Sequence, residues 1–199
     1  MSSKSCCCGK LSAHRKGNLF VISAPSGAGK DTVINKVLEL RPETHLSVSA
    51  TTRPPRAGEV CGLSYYFVAH ERFKKMIANG EFLEYAEYVG QYYGTLKKPV
   101  NELIESGRDV ILEIEVKGAK QIMSIMPRAV TIFIVPPSYE ELERRLRGRG
   151  TENEEKLAER LEVARIELDE KRHYKHIVVN DTVLRAAEEI SKIIDANKH

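Results

Sequence analysis

The run Leu19-Phe20-Val21-Ile22-Ser23 is followed at once by Ala24-Pro25-Ser26-Gly27-Ala28-Gly29-Lys30-Asp31-Thr32 and then by a helical pattern to about residue 40. Bounded by Gly17-Asn18 and Ala24-Pro25, the first five residues read as a buried strand. The glycines of the linking segment let successive N–H groups converge. The helix N-terminus adds the positive end of its dipole and Lys30 a full charge, so the loop is shaped to cradle the phosphates of a nucleoside triphosphate. The general pattern G-x-x-x-x-G-K-[ST] has Ala24 in place of its first glycine and Asp31 in place of its hydroxyl residue; the strand, loop and helix context carries the reading. Two roles stay open for Asp31. It is either an oxygen ligand for Mg²⁺ or a first-turn acid favoured by the helix dipole by about 0.3–1 kcal/mol.

Further apolar runs at 46–48, 110–114, 130–135 and 177–179 alternate with helical patterns at 97–106, 117–126, 139–147, 154–172 and 182–197. Uninterrupted apolar strands separated by helices predict a parallel sheet covered on both faces, an α/β fold. Leu184, Ala187, Ile190 and Ile194 are spaced to dock the last helix on that sheet. Leu157, Leu161, Ala164 and Leu168 give the long helix before it an apolar face for the core, its charges lying mostly at the surface. Between 51 and 95 the alternation breaks into turn clusters, short aromatic runs at 65–68 and 82–89, and a helix at 71–79. Six of the eight tyrosines fall there (Tyr65, Tyr66, Tyr85, Tyr88, Tyr92 and Tyr93), which points to a small β-rich insertion with one face toward a ligand or, more plainly, to the preference of tyrosine for strands.

Charge narrows the function. With 31 basic and 28 acidic residues the net charge is +3, too near balance for a sequence-independent nucleic-acid binder, so phosphate affinity must be local. No apolar stretch approaches the roughly 18 residues of a membrane helix. Cys6, Cys7 and Cys8 are consecutive and only Cys61 lies elsewhere, which is no disulfide framework and fits a reduced, cytoplasmic chain. The segment 1–16 has no secretory h-region and reads as a tail. Its three cysteines with His14 lack the paired C-x-x-C spacing of a metal site.

Four more segments, 49–59 (Ser-Ala-Thr-Thr-Arg-Pro-Pro-Arg-Ala-Gly-Glu), Gly80-Glu81-Phe82-Leu83-Glu84, Tyr92-Tyr93-Gly94-Thr95 and Gly148-Arg149-Gly150-Thr151-Glu152, resemble in order and spacing the signature segments of the guanylate kinase family. The resemblance covers about 17–197. It implies a P-loop NTPase fold with a parallel central sheet flanked by helices, a core at 17–49, 97–145 and 162–197, a GMP-binding insertion at 50–96 and a helical lid at 146–161. It also implies transfer of the γ-phosphoryl group of ATP to GMP, giving ADP and GDP, with Mg²⁺ accompanying ATP, in purine nucleotide metabolism and GMP recycling. ATP and GMP are then the partners, with no nucleic acid and no membrane.

The chemistry of the matching residues agrees. Arg53 and Arg56 bracket a stiff Pro-Pro turn and offer two guanidinium forks to a dianion, and Tyr65 and Tyr93 match the family's phosphate-binding tyrosines. Glu84 and Glu115 match its two guanine-reading acids: a carboxylate accepts from the guanine N1–H and 2-amino groups, and adenine would leave it unpaired. Position 115 is usually Asp in the family, and the extra methylene of Glu115 would shift its contact toward water. Ser49 and Thr95 match hydroxyl positions near the base. Glu113 and Glu115 close an otherwise apolar strand at the end where open α/β sheets bind ligands; Glu113 resembles the acid near metal and phosphates, reached through water, while an ion pair of Glu115 with Lys117 is the plainer alternative. Lys30, Arg145, Arg149 and Arg160 are implied as catalytic cations. Arg144 and Arg147 read as solvated partners of Glu140, Glu141 and Glu143. Asn180, with Asp181, resembles the adenine-side pair or is simply a turn and helix cap. Two other functions stand beside this one: a kinase of another nucleoside monophosphate, which Glu84 and Glu115 disfavour, and a non-catalytic guanylate-kinase-like interaction module, which would lack an intact phosphate loop.

Overall fold

The computed structural model describes residues 15–88, 90–148 and 154–198. Cys6–Cys8, His14, Arg149 and the Gly150-Thr151-Glu152 run lie outside them. Five parallel strands form the central sheet in the order β2-β7-β1-β8-β9: β1 (Leu19–Ser23), β2 (His45–Leu46), β7 (Val110–Glu113), β8 (Val130–Val135) and β9 (His176–Val179). All of β1 is buried, because successive side chains enter opposite faces and both faces are covered. Phe20 and Ile22 join a core with Ile34, Ile111, Ile132 and Ile190. That face is closed by helices α1 (Lys30–Leu40) and α7 (Val183–Ala196), which pack on each other. Val21 joins Leu112, Ile122 and Phe133 on the other face, with α3 (Lys97–Glu105) and α4 (Val116–Ile125).

Leu184 does not dock as its spacing suggests and is 48% exposed. Thr182 caps α7 by accepting from Arg185 N–H, and the buried stripe runs through Ala186, Ala187, Ile190 and Ile194 with Val183 beside it. At 3.6 residues per turn Leu184 lies about 120° around the helix from Ile190.

The insertion is a second, four-stranded sheet in the order β4-β3-β6-β5, built from β3 (Ser49–Thr51), β4 (Tyr66–Phe67), β5 (Phe82–Tyr88) and β6 (Gln91–Leu96). Helix α2 (His70–Ala78) closes it through Phe73 and Met76, and Phe73 stacks on Phe82 with ring centroids 4.4 Å apart. In the β5–β6 hairpin the register shifts between Phe82 and Glu84. Such an irregularity re-aims side chains: Phe82 packs in the insertion core, Leu83 in the main core, and Glu84 faces a cavity. Helices α5 (Tyr139–Arg147) and α6 (Glu154–Asp169) pack through Leu142, Leu146, Leu157 and Ala164. The long helical pattern expected to 172 is α-helical only to Asp169 and continues as a 3-10 turn, Glu170–His173.

Candidate active site

The loop after β1 turns through Gly27 and Gly29, both at positive φ (88° and 84°). Gly29 is also sterically fixed, since an added Cβ would stand 2.7 Å from Asn180 Nδ2. Asn180 is buried and donates from Nδ2 to Ala28 O at 2.7 Å, and Arg145 donates to Ala28 O at 3.3 Å and to Asn180 O at 3.0 Å. Arg145 is anchored by Glu141 at 2.7 Å, whose carboxyl is held down at about 2, first by Arg144 and then by Arg145. Arg145 and Asn180 thus brace the back of the loop and line a side cleft of about 270 Å³ with Gly29 and Thr32. The structure sets Arg145 apart from Arg160, with which the sequence grouped it. Asp181 pairs with Arg185, and Thr182 caps the helix.

The front of the loop opens on a cavity of about 670 Å³. Lys30, Asp31, Tyr88, Glu115, Arg160 and Glu167 line it together with the loop residues 24–27 and 29. Lys30 Nζ donates to Glu113 Oε1 at 2.7 Å and lies 3.9 Å from Asp31 Oδ1. Burial pushes the Glu113 carboxyl up, opposed by the Lys30 charge. Asp31 is 84% exposed. Arg160 and Glu167 are two turns apart on α6 and so share a face, and Glu167 Oε2 accepts from the Ser26 N–H at 3.2 Å. Burial raises the Glu167 carboxyl as well.

A second cavity, about 300 Å³, adjoins the first. Ser49, Tyr65, Glu84, Tyr93, Glu113 and Glu115 line it, and Lys30, Tyr88 and Glu115 line both. Glu84 is buried and accepts from Thr95 Oγ1 at 2.6 Å; burial raises its carboxyl, with the Thr95 bond acting against that. Thr95 is fully buried and acts on the cavity through Glu84. Arg53 and Arg56 stand outside the lining. Arg53 donates through both terminal nitrogens to Glu59, at 2.7 and 3.0 Å, and its guanidinium lies 5.5 Å from the Tyr65 ring centroid. The Arg56 N–H donates to the same carboxylate at 2.7 Å. Glu59 is held down at about 2, Arg53 being the larger cause. Arg144 pairs with Glu141 and Arg147 with Glu143 and Glu154, as solvated ion pairs should.

Lining residues that escaped the sequence include Lys156, Glu159, Glu167 and Gly118, while Tyr88 stood there only as one of the six tyrosines of the insertion. Of those that escaped, Gly118 carried a signal, since glycine inside a helix costs about 1 kcal/mol against alanine and asks for a reason.

A phosphate loop on an all-parallel sheet, joined at a shared lysine to a cavity with a buried carboxylate, defines a P-loop NTPase-fold enzyme with a second cavity beside the loop. The sequence model of the guanylate kinase family, "Guanylate kinase", matches residues 16–197. A guanylate kinase of Neisseria meningitidis serogroup A is 48% identical over 186 residues, 94% of this chain and 91% of that one. One of Nostoc sp. is 51% identical over 165 residues, 83% of each. The crystal structure of guanylate kinase from Anaplasma phagocytophilum superposes with a TM-score of 0.76 at 36% identity, covering 92% of this chain and 87% of the other. The chain belongs to the guanylate kinase family.

Proposed function

We propose that this chain transfers the γ-phosphoryl group of ATP to GMP, giving ADP and GDP, and so serves purine nucleotide metabolism by returning GMP to the diphosphate pool. One observation carries the reading: Lys30 lines both cavities, so phosphates entering from the loop side and from the Glu84 side meet at one cation. The acceptor phosphate is ionised at neutral pH, so no general base is required and catalysis is positioning plus charge stabilisation. The loop amides and Lys30 hold the donor, and Arg145 and Asn180 keep the loop in shape from behind. Arg160, with Arg149, neutralises charge on the passing group. Glu84 and Glu115 take the base, with Ser49 beside them and Thr95 fixing Glu84. Tyr65 and Tyr93, with Arg53 and Arg56 behind them, take the acceptor phosphate. The insertion at 50–96 and the lid at 146–161 are the parts that close over the ligands.

The donor set fits Mg²⁺, which binds through one or two carboxylates plus substrate phosphates and water: exposed Asp31 at the loop and Glu113 beside Lys30 supply hard oxygens. Asp31 would hold the ion, with Glu113 contacting it through water. When bound, the ion neutralises phosphate charge. Replacing Asp31 by Asn is expected to raise several-fold the Mg²⁺ concentration for half-maximal turnover; an unchanged Mg²⁺ profile would leave Asp31 only its helix-dipole role. We place the reaction in the cytoplasm, in keeping with the free, exposed thiol of Cys61.

The test is ADP release from ATP and Mg²⁺ with GMP, AMP or dTMP. GMP is expected to lead in kcat/KM by about a hundred-fold or more, as for a site built on hydrogen bonds to its substrate. AMP or dTMP outpacing GMP would overturn the acceptor, and no turnover with any of them would favour an interaction module.

A further inference from the structure

Helix α4 starts at Val116 at the end of β7, and its third residue is Gly118, which faces the acceptor cavity. Glycine is less favourable than alanine inside a helix, and Gly118 is not among the glycines at positive φ, so backbone conformation does not account for it. Space does. A Cβ on Gly118 would stand 2.3 Å from Oε2 and 3.0 Å from Cδ of Glu84. The carboxylate has little freedom to retreat: Glu84 is 5% exposed, and its Oε1 accepts from the buried Thr95 hydroxyl. Oε1 is therefore committed to Thr95, and Oε2 lies against the first turn of α4.

We propose that Gly118 is a positioning residue for base selection: its missing side chain leaves the room in which the Glu84 carboxylate lies, and so sets the oxygen that accepts from a purine bearing both a ring N–H and a 2-amino group. The proposal rests on the reading of this cavity as the GMP site. Gly118 needs no contact with the base; it acts through Glu84.

The experiment compares GMP with IMP, which keeps the ring N–H and lacks the 2-amino group, for the wild-type chain and for Gly118→Ala. The substitution is expected to lower kcat/KM for GMP by about ten-fold or more and to shrink the GMP:IMP preference by a similar factor. KM for ATP should stay within about two-fold, and a thermal melt controls for the fold, since alanine's better helix propensity is set against the crowding of Glu84. Adding Glu84→Asp to Gly118→Ala shortens the acid by one methylene and is expected to restore part of the preference. A GMP:IMP ratio that Gly118→Ala leaves intact would overturn the proposal, as would a double variant no more selective than the single one. A wild-type chain that turns over neither GMP nor IMP would instead overturn the function on which the proposal rests, and the two failures are distinguishable.

Discussion

Replacing Lys30 by methionine is expected to lower kcat by about a thousand-fold, the upper range for loss of one preorganised charge donor. The geometry supports so large an effect, because Lys30 is 14% exposed, contacts Glu113 at 2.7 Å and borders both cavities. A cation held at the junction of the proposed ATP and GMP sites would act where charge passes between them, in surroundings drier than bulk water. Methionine preserves most of the side-chain volume, so the loop should keep its fold. Glu113 loses its partner, but burial already favours its neutral form, and protonation relieves the uncompensated charge. Single-turnover rates at saturating ATP and GMP, with a thermal melt as control, check this. A variant that folds and keeps kcat within ten-fold would remove Lys30 from the centre of the mechanism.

Replacing Glu84 by glutamine is expected to cost about 1–3 kcal/mol in kcat/KM for GMP, or roughly ten- to a hundred-fold, with little change in KM for ATP. Glutamine offers an amide N–H₂ where guanine presents donors, so donor faces donor. The pH dependence has a definite sign. Glu84 must be ionised to accept from guanine, and burial raises its carboxyl above the ordinary glutamate range. KM for GMP should therefore rise as pH falls through a window higher than that of an exposed glutamate, and Glu84→Gln should flatten the rise. KM measured across this range for both chains checks it; parallel profiles would show that Glu84 does not govern GMP binding.

Much of this architecture could be read from sequence for physical reasons. β1 and β8 are buried along their whole length, and apolar but for Ser23 and Thr131, because helices cover both faces of their sheet, and the phosphate loop announces itself through its glycines and Lys30 between strand and helix. The insertion is harder to read. β3 is three residues long, Ser49–Thr51, with no apolar run, and its pairing with β4 and β6 is set by contacts distant in the chain. The site residues that escaped share that character. Glu167 is one of 28 acids in the chain, and nothing local shows that its carboxylate meets the Ser26 amide. Arg53 and Arg56 were legible as an anion-binding pair, but not the Glu59 carboxylate that holds them, since a loop acid is ordinarily solvated. Arg145 sits on the same short helix as Arg144 and Arg147, yet only the fold shows that it alone turns inward to brace the loop.

One lysine serving two nucleotide sites would let a phosphoryl group pass from one to the other. Phosphorus NMR of the wild-type chain with ATP, Mg²⁺ and GMP follows that passage directly. ADP and GDP resonances are expected to grow together, one for one, as ATP and GMP decline, with no inorganic phosphate formed. ATP cleaved to ADP and inorganic phosphate beside unchanged GMP, or no change in any resonance, would contradict it.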